Sequence, residues 1–408
     1  MYRSSTDHQD ARIEGAPLTW RIAGLLAVML VLAIGLHGWP MTGVPAMRFF
    51  WPANVVVLAW VAWILLGLYR SETRDALRGL LPPACVWAYL VVSLLSVAAA
   101  ENPARAGTTA VKMALCLVGT YTLVAAACRT QGRAAWLLWA LAAVVSGVIA
   151  HAATQMFRGQ APTALFESPL KLGSFLAMTV PFAASYLAAC GHPLIRFWAL
   201  LRVVGSLLVC GSAWAWLGIV VGVIVGTVTT ARLRRWLAGT LVVAAVAING
   251  LVISGGRAVV ISDVQWREEI GRDVRQRYLE WQALINLLKD RSAVGTGVGC
   301  LNDRRSEYYL RLPKNNTIAP FDQNGYLAAA AEMGVPGLIA WCWVLGEYLK
   351  KGWRRRNDMV IRAAWSGVAA ATVAQVASSL TYNGILVVFV VLLALIDHEE
   401  GRSEDAPI

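Results

Sequence analysis

The sequence predicts an all-α polytopic membrane protein of about 12 transmembrane helices, with one large, partly helical loop on the outer side before helix 10. Three observations predict it. Of 408 residues, 58% are hydrophobic and only 15% charged, and the mean hydropathy is +0.57, too apolar for a soluble chain of this size. The apolar residues fall in runs of about 20, the length that crosses a bilayer as a helix. The charges lie between the runs and are sorted by side.

Taken in order, residues 1–21 are polar, carry both charge signs, and lack the apolar stretch and small-residue cleavage site of a signal peptide. Nine spans occupy residues 22–254, at 22–38, 52–69, 82–100, 107–127, 134–154, 170–190, 194–210, 213–230 and 236–254. Between Pro193 and Thr230 the only charges are Arg196 and Arg202, and the stretch divides at Gly211-Ser212. The loop covers 255–325, and spans at 326–349, 360–380 and 383–396 fill 326–396. The tail, 397–408, is acidic.

With the N-terminus inside, every inside loop is basic: Arg70, Arg74 and Arg78; Arg129 and Arg133; Arg196; Arg232, Arg234 and Arg235; then Lys350, Lys351 and Arg354 to Arg356. The short outside loops carry only Arg48, Arg105 and Arg158. This is the positive-inside distribution, and it puts both termini in the cytoplasm. It also accounts for the net charge of +12 without nucleic acid, since the cations follow the membrane. Of the 7 Cys, only Cys300 falls in an outward loop. No Cys/His spacing suggests a metal, and no cofactor is implied.

In the loop, Trp266, Ile270, Val274, Tyr278, Trp281, Ile285 and Leu288 recur every three or four residues, the spacing of an amphipathic helix whose stripe rests on the other helices or on the membrane interface. The turn Gly295-Thr296-Gly297-Val298-Gly299 follows. It has no Lys-Ser/Thr pair and no strand before it, so it reads as a joint between packed segments and not as a phosphate loop.

Cationic groups beneath such a loop suit an anionic, lipid-linked substrate. Lys112 and Lys171 lie in or beside apolar runs, where a charge is costly and marks a functional candidate or a snorkelling stem. Arg257 directly follows span nine. The loop-helix arginines form a solvated face balanced by Glu268, Glu269, Asp273 and Glu280, except Arg277, which shares a helix face with Trp281. Asp322, Gln323 and Asn324 open span ten, where polar side chains cap free N–H groups or meet a ligand. Glu332 lies within that span.

The stretches "RYLEWQAL" (Arg277 to Leu284), "GTGVG" and "QNGYLAAAAEMGVPG" together resemble the outward loop of the O-antigen ligase and polymerase family. Arg277, Trp281, Ala283, Leu284, Gly297, Gly299, Asn324, Tyr326, Leu327, Glu332, Gly334 and Gly337 fit the family pattern. The resemblance is strongest in the last third of the chain and topological elsewhere. It implies a periplasmic loop in a bacterial inner membrane protein. The donor would be a polyprenyl diphosphate-linked glycan, and the acceptor lipid A–core, a protein or another glycan. An arginine-rich pocket would hold the diphosphate without metal. Catalytic candidates are Arg277, Asp322, Gln323 and Asn324. Substrate-binding candidates are Arg257, Lys112, Lys171, Trp281, Tyr326 and Glu332.

Two positions depart from the family. Gln323 stands where the family has His, and Ala213 follows Ser212 where it has Arg. Gln cannot take a proton near neutral pH. Asp322 is the substitute base, and Lys112 or Lys171 the substitute charge. The departures equally fit a non-catalytic homologue in polysaccharide assembly. A lipid-linked glycan transporter is the third reading; such proteins show two similar halves, which are not evident in this sequence.

Overall fold

The structure, a computed structural model, describes residues 18–35, 56–62, 80–128, 133–158, 160, 164, 166, 169–189, 192–210, 213–227, 278–312, 324–376, 379 and 384–398. All regular structure among them is helical. Before the loop these helices are α1 (Leu18–Gly35), α2 (56–62), α3 (Ala84–Ala98), α4 (Pro103–Cys128), α5 (Arg133–Phe157), α6 (Pro169–Ala189), α7 (Pro193–Val209) and α8 (Ala213–Thr227). The loop contributes α9 (278–290) and α10 (Arg305–Leu310), and α11 (Gly325–Arg354), α12 (Met359–Ala374) and α13 (Gly384–His398) follow.

Four stretches, Pro103–Cys128, Trp136–Phe157, Lys171–Ala189 and Gly325–Arg354, are long and apolar enough to cross a membrane, and α3, α8, α12 and α13 hold shorter apolar segments. The division at Gly211-Ser212 is borne out, since α7 ends at Val209 and α8 begins at Ala213. The span expected at 236–254 lies outside the described residues, and that at 52–69 is described only over 56–62.

Helix α13 is the hub. Every residue from Ile385 to Ile396 is buried, as expected of a helix apolar on all sides. It contacts α4, α6, α11 and α12. The tightest packing joins α6, α8 and α12, and the sequence of α8 explains it. Gly218, Gly222 and Gly226 repeat every four residues on one face, against Ala370 and Ala177, then Pro181, then Ser185 and Ser366. Small residues at this spacing let membrane helices approach closely when no hydrophobic force separates lipid from protein.

At one end of the bundle Asp397 of α13 accepts hydrogen bonds from Tyr348 Oη (2.8 Å) and Lys351 Nζ (2.6 Å) of α11 and from Tyr121 of α4. Three helix ends are thereby tied to one carboxylate.

The span expected at 326–349 falls within α11, which is broken at Gly334 and folds back. The Gly325 N–H donates to the Gln375 carbonyl (2.8 Å), and Trp341 Nε1–H to the Gln375 side-chain oxygen (2.7 Å). A straight helix would hold Gly325 and Trp341 about 24 Å apart, far more than one glutamine and one indole can bridge. The local sequence dictates the break. Gly334 sits at φ 72, ψ −174, a conformation essentially reserved for glycine. Pro336 then restarts the helix in its first turn, where no intrahelical N–H is needed. At Gly337 the two halves meet, with a Cβ position 2.3 Å from Met333 Cβ and 3.0 Å from the Ala329 carbonyl. Only a residue without a side chain fits there.

Candidate functional site

The break leaves polar backbone groups that need partners in a dry setting. In a continuous helix the Ala331 carbonyl would pair with Val335 N–H, and the Glu332 carbonyl with residue 336, which is a proline and has no N–H. The glycine-rich turn supplies the partners. Thr296 N–H donates to the Ala331 carbonyl (2.9 Å), Gly297 N–H donates to the Glu332 carbonyl (2.9 Å), and Val335 N–H turns to the Ser292 carbonyl (2.8 Å). The "GTGVG" and "EMGVPG" stretches are therefore two halves of one joint. The expectation of a joint between packed segments holds, and its purpose is to satisfy a broken helix.

A second seam ties the loop to the α3–α4 turn. Val298 N–H donates to Ser96 Oγ (3.2 Å), Arg105 pairs with Asp303 (2.5 Å), and Arg291 pairs with Glu101 (3.2 Å), which also meets Arg304. Arg304 and Arg311 both reach Glu307 (2.6 Å each), and Arg311 reaches Asp290 (2.7 Å), which also accepts from Tyr308 Oη (3.0 Å). The Arg311 hydrogen bond, then that of Tyr308, holds the Asp290 carboxyl below its usual range. Arg304 does the same for Glu307. Burial first, then the Asp303 carboxylate, pushes the Cys300 thiol up. The seam pairs to the α3–α4 turn were not read from the sequence, because their partners lie far apart in the chain, 190 residues for Arg291 and Glu101.

Helix α9 packs on the first half of α11 through Ala283, Leu284 and Leu287 against Ala328 and Ala331. The expected placement of Glu280 is corrected here. Tyr278 is 58% and Ile285 44% exposed, while Glu280, expected on the solvated face, is fully buried.

The expected site residues fall in three groups. Asn324, Tyr326 and Glu332 share the first half of α11, and Trp281 lies on the helix packed against it. Asn324 Oδ1 accepts from the N–H of Tyr326 (3.0 Å) and Leu327 (2.9 Å), so it caps the helix. With Gly325 N–H on Gln375 and Ala328 N–H on the Asn324 carbonyl, the first four N–H groups are satisfied, which leaves no backbone anion site. Tyr326 Oη donates to the Thr372 carbonyl (2.7 Å). Glu332 is buried, and Trp281 is half-buried. Lys112 is exposed on α4 one turn beyond Thr109, against which Gly299 packs. Lys171 is half-buried in the first turn of α6. Arg257, Arg277, Asp322 and Gln323 lie outside the described residues. Gln375, which joins both halves of α11, was missed; its polarity at the end of an apolar helix was the available signal. Among the described residues no group of three His, Cys, Asp or Glu could hold a metal ion.

A bundle of apolar helices carrying a loop clasped to a broken helix defines an all-helical membrane protein. Residues 198–342 match the family described as O-Antigen ligase. The match runs from within α7 to the second half of α11 and takes in the loop and its joint. No curated protein matches the chain.

Proposed function

We infer that the protein transfers a glycan from a polyprenyl diphosphate carrier to an acceptor hydroxyl at the periplasmic face of a bacterial inner membrane. The observation that carries this reading is the coincidence of the O-antigen ligase match with the clasped loop and broken helix. In this reading the chain has twelve spans with both termini cytoplasmic. Two contacts support that grouping of segments by side. Arg105 pairs with Asp303, both assigned outside, and Lys351 pairs with Asp397, both assigned inside.

The reaction is a displacement with inversion. The acceptor oxygen forms a bond to the anomeric carbon as the bond to the diphosphate oxygen breaks, and the diphosphate leaves with the electron pair. Arg277 and Arg257 stabilise the charge that develops on it, usually the larger contribution, with Lys112 or Lys171 in place of the family arginine absent at Ala213. The acceptor proton goes to Asp322, since Gln323 cannot take it. Trp281, Tyr326 and Glu332 line the glycan side, and Asn324 fixes the helix end beside them.

The test is genetic. A deletion strain accumulates unattached or unpolymerised lipid-linked glycan, wild type restores transfer, and Arg277→Ala does not. Full rescue by Arg277→Ala removes Arg277 from the mechanism. The second reading, a non-catalytic partner in polysaccharide assembly, is favoured by Gln323 and Ala213 at the two hallmark positions. Rescue by Arg277→Ala and Asp322→Asn together would favour it.

A further inference from the structure

Gln375 lies just past α12 and touches both halves of α11. Its main-chain carbonyl takes the Gly325 N–H (2.8 Å), and its side-chain oxygen takes Trp341 Nε1–H (2.7 Å). The same side chain lies 3.0 to 3.4 Å from the Cβ position of Gly325. One residue therefore sets how far the N-terminal end of α11 stands from the spanning half. Trp341 is itself anchored, with its ring 5.0 Å from Tyr89 and 5.6 Å from Phe389.

The amide has a second property. Gln375 is only 1% exposed, and among the described residues its Nε2 has no hydrogen-bond partner. The orientation of the amide is not open to reversal, because the indole N–H can only donate and so requires the oxygen to face it. A buried donor left unpaired lowers stability. Buried polar groups in folded proteins are almost all paired, and the exceptions call for a reason beyond packing. Here the amide stands against the helix end that follows directly on Asp322 and Gln323.

We propose that Gln375 is a positioning residue of the glycan-transfer site, holding the N-terminal end of α11 in place for transfer through an amide that stability alone would not select. The proposal rests on the transferase reading. Gln375 acts through the segment it holds and not on the substrate, so its loss lowers turnover without weakening donor binding.

The experiment uses full-length protein in lipid nanodiscs, with the lipid-linked glycan extracted from the deletion strain as donor. Gln375→Met keeps the volume and exchanges one unpaired donor, the amide, for another, the indole. Its melting temperature should stay within a few degrees of wild type. Its kcat should fall by about 10²-fold, the cost of a misplacement of about 1 Å, with the donor KM unchanged. Gln375→Glu retains an oxygen for Trp341 and should recover part of the lost kcat. A second readout needs no turnover: labelling of Gln323→Cys by a membrane-impermeant maleimide, followed by peptide mass spectrometry, should change severalfold when Gln375→Met is added. An unchanged kcat and labelling rate overturn the proposal. So does a kcat that falls only in step with melting temperature. If wild type transfers nothing, the transferase reading fails and the labelling rate alone decides the positioning role.

Discussion

Replacing Gly334 with alanine tests whether the break in α11 is a built feature of the fold. At φ 72 and ψ −174 an alanine backbone is strained by about 1–3 kcal/mol. The added methyl would also lie 2.5 Å from the Ala293 carbonyl oxygen and 2.8 Å from that of Ser292. Relief requires moving the 292–293 segment, which disturbs the Val335 N–H to Ser292 bond and the adjacent bonds from Thr296 and Gly297. Loosening one or two of these adds about 1–3 kcal/mol. The total is about 2–6 kcal/mol, a fall in melting temperature on the order of 5 °C for a chain of this length. The assay is thermal unfolding in detergent or nanodiscs, paired with limited proteolysis of the 278–312 segment. Gly346→Ala is the internal control, since Gly346 is on the same helix with nothing within 4 Å of its Cβ position. It should leave the melting temperature unchanged or slightly raised. A Gly334→Ala protein as stable as the Gly346→Ala protein, with the loop equally resistant to protease, would refute the reasoning.

Other outcomes follow from the same geometry. Asp397→Ala removes the acceptor shared by Tyr121, Tyr348 and Lys351, with Asp397 only 11% exposed, and should destabilise by about 3 kcal/mol. Lys351→Ala should cost clearly less in the same unfolding assay, because that ammonium is partly solvated. Asp290 and Glu307 have folded pKa values below their unfolded ones. Their contribution is therefore present above the unfolded carboxyl range, near about 4, and is lost as pH falls through the folded values. Loop proteolysis should be flat from pH 8 to about pH 5 and rise only in stronger acid. Arg304→Ala, which takes the guanidinium from Glu101 and Glu307, should cost about 1 kcal/mol since the pairs are partly solvated, and raise loop cleavage, and high salt should mimic it.

The bundle was legible in the sequence because its helices are written in apolar runs. The boundaries of α5, α6 and α7 fall within a few residues of those expected, and Gly211-Ser212 separates α7 from α8. What was not legible depends on which chain segments meet. "EMGVPG" sits inside an apolar run, and hydropathy alone makes that run one straight span. The combination of a glycine, a proline two residues on and a further glycine does signal a break, but only the turn at 295–297 shows how its carbonyls are satisfied. Glu280 was misplaced because its charge put it on the solvated face, whereas it is buried on α9, whose Ala283 and Leu284 dock on the alanines of α11. Gln375 joins Gly325 and Trp341 across a fold that spacing cannot reveal. At the site itself, the sequence marked Asn324, and the geometry gives it the capping role.

The most direct test of the central claim is transfer by the purified protein. Reconstituted with polyprenyl diphosphate-linked glycan and its acceptor, wild type should release polyprenyl diphosphate in step with a new glycosidic bond. Nuclear magnetic resonance of the product should show the anomeric configuration opposite to that of the donor. A product that retains configuration contradicts the displacement argued here. Absence of any product, with donor and acceptor both bound, contradicts the transferase reading itself.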